Sequence, residues 1–187
     1  MYKLPVALIA SLGLAYIQPA TAQESKKDSP SAKEAKKEGK KGGLAGDDAK
    51  FMRQMAQSDL AEVQAGKLGA QKASSGEVKK YAQHMVDDHG KQLSEARDMA
   101  KKKNMQLPSQ PMKKHQDAMK KLEKASGQEF DKMFMQQMVK DHEESLKLAQ
   151  NAAKNAKDKD LKAAAEKAVP VIEGHLKMAK EIASSLK

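Results

Sequence analysis

The chain has 187 residues, with 35 Lys and Arg against 25 Asp and Glu, 12 Met, no Cys and no Trp. The lack of Cys excludes a disulfide scaffold, Cys-based zinc and iron–sulfur sites, thiol catalysis and a lipoprotein anchor. With 3% aromatic and 39% hydrophobic residues, a β-sandwich or barrel is disfavoured, and a formal charge of +10 raises nucleic acid and anionic membranes as partners.

Residues 1–22 have the pattern of a secretory signal peptide. Met1-Tyr2-Lys3 is a short positive start, Leu4 to Ile17 is an uncharged apolar run, and Ala20-Thr21-Ala22 is a small-residue cleavage site. The run is shorter than the roughly 20 apolar residues that a membrane span needs. Residues 23–46 mix Lys, Glu, Ser and Gly with little to bury, the composition of a disordered tether. Seven Lys against four acids give the tether +3, enough for weak contact with anionic envelope surfaces.

From Asp47 onward the apolar period is helical, and residues 47–187 are expected to form an all-α, ferritin-like four-helix bundle. The first helix is expected over about 47–72, with the stripe Phe51, Met55, Ser58, Glu62, Ala65, Gly69. A second runs to about Lys103 from a capping box, Ser74 as N-cap and Glu77 at N3, with Val78, Ala82, Met85, His89, Leu93, Ala96 on its stripe. Pro108 and Pro111 break the chain before a short amphipathic helix at about 112–124. A second capping box, Ser126 with Glu129, opens a third long helix to about Ala156, with Phe134, Met135, Met138, His142, Leu146, Ala149. The last runs over about 158–186 with Leu161, Ala165, Ala168, Ile172, His175, Ala179, Ile182, and Pro170 is expected to kink it. Met85-Val86-Asp87-Asp88-His89 echoes Met138-Val139-Lys140-Asp141-His142, and suggests two related hairpins.

Four polar residues interrupt these stripes, one per long helix: Glu62, His89, His142 and His175. At about 1.5 Å per residue, each lies about 18–27 Å from its hairpin turn, so all four fall at a similar depth. One histidine on an apolar stripe is most often a satisfied core residue. Three with a carboxylate at one level have the makings of a coordination shell, and a buried Glu62 needs a cation or donor beside it. Asp88 and Asp141 point about 100° away from the histidines that follow them, and are candidates to accept hydrogen bonds from a histidine on a neighbouring helix. Met85, Met138 and Met178 are candidate soft ligands for Cu(I), or simply adaptable core filler. His115, among Lys113, Lys114 and Gln116, is expected to be exposed, and His84 to pair with Asp88 at i,i+4.

Residues 47–187 resemble the exported bacterial family of unknown function numbered 4142. The carriers are FMRQMAQSDLAEVQAGKLGAQK from Phe51 to Lys72, the run from Val78 to His89, Leu107-Pro108, Phe130-Asp131, Met138-Val139 with Asp141-His142, and Val169-Pro170 with His175-Leu176. The resemblance implies a ferritin-like bundle in the periplasm, often labelled an outer membrane protein, and supplies no activity.

The expected function is an exported bundle that binds one divalent transition metal (Zn, Mn, Fe or Cu) in its core for storage, buffering or stress protection. A metal-independent structural or interaction module of the cell envelope is the alternative. A di-iron oxidase is disfavoured, because Val86, Val139 and Ile172 stand where a Glu-x-x-His motif needs Glu. Nucleic acid is not an expected partner: Lys is interleaved with acids and stacking aromatics are absent.

Overall fold

The computed structural model describes residues 43, 44 and 46–186. The expected signal peptide and the expected tether, apart from Gly43, Leu44 and Gly46, lie outside the described residues. Five helices follow in order: α1 (Gly46–Lys72), α2 (Gly76–Lys102), α3 (Lys113–Leu122), α4 (Gly127–Asn155) and α5 (Lys159–Ser185). The fold is all-α, two long hairpins with a short helix between them. No helix among the described residues is long and apolar enough to cross a membrane. The helix α5 continues on both sides of Pro170.

The helix starts depart in detail from the expected capping boxes. Ser75, not Ser74, is the N-cap of α2, and its hydroxyl accepts from the N–H groups of Glu77 and Val78 at 3.2 and 3.5 Å. Ser74 is engaged elsewhere. Its N–H donates to Asp131 at 3.0 Å and its hydroxyl donates to the same carboxylate, which also takes the Ser75 N–H at 2.8 Å. Ser126 stands at the N-cap of α4, but its side chain caps nothing. Asp158 caps α5 through Asp160 and Leu161.

The same contacts fix the topology. Asp131, in the first turns of α4, holds the α1–α2 turn. Asp48, in the first turn of α1, holds the α4–α5 turn by accepting from Lys157 and Asp158 at 3.0 and 2.7 Å. Lys103, just past α2, reaches Asp158 and Asp160 at 2.7 and 2.8 Å. The helices α2 and α4 therefore start at one end of the bundle, while α1 and α5 start at the other. Residues 103–126, with α3 among them, carry the chain back along the bundle. The hairpins α1–α2 and α4–α5 meet across α1 with α4 and α2 with α5, so every adjacent long pair is antiparallel and α2 faces α4 across the core.

The sequence echo thus relates α2 to α4, which hold different places in their hairpins. Its structural meaning is that both helices start at the same end and carry a histidine about equally far along.

The core lies in two main blocks. Val78, Tyr81, Ala82, Met85, Phe130, Phe134, Met135 and Met138 form one. Phe51, Met52, Ala100, Ala152, Leu161 and Ala165 form the other, and Leu44 rests against it. Leu44 therefore packs on the bundle, within a segment expected to have little to bury. Between these blocks sits a polar layer.

Candidate metal centre

His89 on α2, His142 on α4 and His175 on α5 meet in that layer. All three are buried, with 2, 0 and 2% exposed. Their ring centroids form a near-equilateral triangle with edges of 5.5, 5.3 and 5.5 Å. Each ring offers one nitrogen, and these three atoms lie within 4.8 Å of one another. A triangle with edges of at most that length has its centre at most about 2.8 Å from each corner, against about 2.0–2.1 Å for a Zn–N bond. Small side-chain adjustments close the difference.

The hydrogen bonds orient the rings. Nδ1 of His89 donates to Asp59 at 2.9 Å, Nδ1 of His142 donates to the Met138 carbonyl at 2.8 Å, and Nε2 of His175 donates to Asp88 at 2.9 Å. With one nitrogen of each neutral ring acting as donor, the other must carry a lone pair. Those other nitrogens, Nε2 of His89, Nε2 of His142 and Nδ1 of His175, are all buried without a partner. An unsatisfied buried polar group costs about 1–3 kcal/mol. Three in one place, each anchored from behind by an acceptor, are the pattern by which proteins hold a metal on imidazoles.

Glu62 on α1 is the fourth polar residue of the layer, 2% exposed. One carboxylate oxygen lies 3.7 Å from Nδ1 of His142, and Oε2 has no partner. Glu62 does not belong to the group of three whose donor atoms all fall within 4.8 Å, so it stands beside the triangle rather than at a corner.

Burial pushes Glu62 up to about 8, with Asp141 and Asp59 adding to the rise and His89 opposing it. Burial lowers His142 to about 3, helped by the charge of His89. It lowers His175 to about 4 against the pull of Asp88. For His89, burial alone would favour the neutral ring, but the hydrogen bond to Asp59 and the charges of Glu62, Asp59 and Asp88 raise it on balance. Three imidazoles ringed by Asp59, Glu62 and Asp88 thus have electrostatic room for a divalent cation.

The remaining candidates divide. Asp88 accepts from a histidine of a neighbouring helix, and His84 lies 3.5 Å from the same carboxylate oxygen. Asp141 pairs with none of His89, His142 and His175. Its partners are Gln137 at 2.8 Å and His115 at 3.6 Å. His115 corrects the expectation of an exposed residue: it is 5% exposed, because α3 lays it against α4. Its lysine neighbours in sequence point elsewhere on a short amphipathic helix. Met85 and Met138 are wholly buried in the apolar block next to the layer, and Met178 packs against that block. Asp59 was not anticipated. Its one sequence signal is its place three residues before Glu62, on the same face of α1. Tyr81 also adjoins the site, its hydroxyl donating to the His175 carbonyl at 3.4 Å.

The sequence matches the family described as "Domain of unknown function (DUF4142)" over residues 32–182, and the chain belongs to that family. No curated protein matches it. Among solved structures, CopM in its Cu(II)-bound form is similar with a TM-score of 0.65 and 18% identity, covering 75% of this chain and 97% of CopM. CopM in its Cu(I)-bound form gives 0.62 and 20%, covering 72% and 93%. A DUF305 fragment from Deinococcus radiodurans gives 0.69 and 10%, covering 77% and 99%. At these identities the likeness establishes the fold alone.

Proposed function

We propose that this DUF4142 protein is exported and binds one divalent transition-metal ion in its core, for storage or buffering in the cell envelope. His89 and His142 bind through Nε2 and His175 through Nδ1. Glu62 supplies the fourth donor through Oε2, by a shift of its side chain toward the triangle. The observation that carries this reading is the set of three unpartnered imidazole nitrogens, each fixed by a hydrogen bond on the opposite side of its ring. Imidazole suits Zn, Cu, Fe and Ni. The copper-bound state of CopM makes copper the first ion to test. Four protein donors would close the shell, which favours holding an ion over chemistry on a substrate. Met85, Met138 and Met178 would serve as apolar wall.

The test is to purify the exported form without a histidine tag, incubate it with Cu(II), Zn(II) or Mn(II), and count metal by mass spectrometry. One equivalent per chain is expected for Cu(II) or Zn(II), and at 100-fold excess over Kd it should stabilise the fold by about 2.7 kcal/mol. Replacing His89, His142 and His175 together by Ala should abolish both effects. Less than about 0.1 equivalent in the wild-type protein, with no thermal shift, would leave the bundle as a metal-independent envelope module.

A further inference from the structure

A second group of potential ligands touches the first and opens to solvent. His84 and Asp88 lie one turn apart on α2, with side chains 46 and 37% exposed. His84 Nε2 is 3.5 Å from Asp88 Oδ2, and His175 Nε2 is 2.9 Å from that same oxygen. The rings of His84 and His175 stand 5.1 Å apart at 81°. One donor atom from each of His84, Asp88 and His175 falls within 4.8 Å of the others. His175 is therefore shared. Its Nε2 faces the exposed pair, while its Nδ1 is buried and unpartnered.

We propose that His84, Asp88 and Nε2 of His175 form an outer capture site for a divalent transition-metal ion, through which the ion reaches the inner triangle. The identity of the inner site rests on the function proposed above. The outer site stands on its own residues.

The exchange of protons follows from the ring. An ion on Nε2 of neutral His175 leaves the proton on Nδ1. An ion on Nδ1 requires the proton on Nε2, where Asp88 accepts it. The transfer thus breaks the Nε2–metal bond, forms the Nδ1–metal bond, releases the Nδ1 proton to water and takes one up from water at Nε2, with no change of oxidation state. A neutral imidazole serves only one station at a time, so the outer site is at full strength only when the inner one is vacant. His84 and Asp88 keep a hydrated ion at the surface while its water is replaced by nitrogen ligands. Without such a station, the ion must shed its shell directly into a buried layer.

The experiment uses Zn(II) delivered from a chromophoric chelator and followed by stopped flow. His84→Ala should slow both loading and release of the inner ion by about tenfold or more, a barrier higher by about 1.4 kcal/mol, while leaving its Kd unchanged. His84 is exposed, so this variant retains the fold. In a His89→Ala/His142→Ala protein, one weaker Zn(II) should still bind, and adding His84→Ala should abolish it. Unchanged loading kinetics in His84→Ala, or residual binding indifferent to His84, would overturn the proposal. If the double variant does not fold, the kinetic arm decides alone. If His89→Ala and His142→Ala leave metal content untouched, the inner reading fails. The outer site then stands if His84→Ala weakens the wild-type affinity, and falls if it does not.

Discussion

At the scale of single residues, the layer is held by groups whose protonation differs between folded and unfolded chains. Glu62, at about 8 against a usual 4.5, keeps a proton that the unfolded chain has lost. A raised folded value gives stability that is complete below 4.5 and vanishes as pH rises through about 8. His89 is raised too, so its contribution is complete below 6.5 and lost above its folded value. His142 and His175, at about 3 and 4, act in the opposite sense. Their contribution is present above 6.5 and lost as pH falls toward 4, with Glu62 offsetting one of the two protons until 4.5. The metal-free protein should therefore lose stability as pH rises from 6.5 to 8, the raised Asp59 and Asp141 opposing the two histidines on the acid side, and Glu62→Gln should flatten the alkaline loss. A metal displaces the protons of Glu62 and His89, so the rise in Tm caused by Zn(II) should grow between pH 6 and pH 8. Melts with and without the ion at each pH check both statements. Asp59→Asn should weaken metal binding about 10–100-fold without removing a ligand, as measured by chelator competition.

At the scale of elements, α1 and α2 approach closely at Gly66. A Cβ there would lie 2.7 Å from the Ala82 carbonyl oxygen and 2.9 Å from Cγ2 of Val86. The carbonyl is part of a helix and cannot move alone, so Gly66→Ala should cost about 1–3 kcal/mol despite its better helix propensity. Gly90 on α2 has open space around the same position. Gly90→Ala should stabilise by up to about 1 kcal/mol. Denaturant melts of the two variants should move in opposite directions. The buried carboxylates Asp48 and Asp131 act at this scale as well, since each ties the start of one hairpin to the turn of the other.

At the scale of the whole molecule, the candidate site is where the two hairpins are joined. His89 comes from one hairpin and His142 and His175 from the other, with Glu62 again from the first. An ion bound there adds a link between elements that otherwise meet through packing, end contacts and the hydrogen bonds of Asp88 and Tyr81 to His175. Removing it with a chelator should lower Tm and speed amide exchange around His175 and His142, while exchange at the hairpin ends near Asp48 and Asp131 changes less. Uniform exchange with and without metal would show that no such link forms.

The helical period set the number, order and approximate ends of the helices, because a 3.6-residue repeat of apolar side chains depends on local geometry alone. It also marked Glu62, His89, His142 and His175, since a polar side chain on a buried stripe is visible without knowing what covers it. Contacts between helices were beyond its reach. Asp59 as partner of His89, the burial of His115 where α3 meets α4, Asp131 drawing Ser74 away from its expected cap, and the parallel course of α2 and α4 all depend on which helix lies beside which. That arrangement is decided by packing across the bundle. Only the tertiary structure brought the three marked histidines together, each with one buried, unpartnered nitrogen, and set a carboxylate beside them.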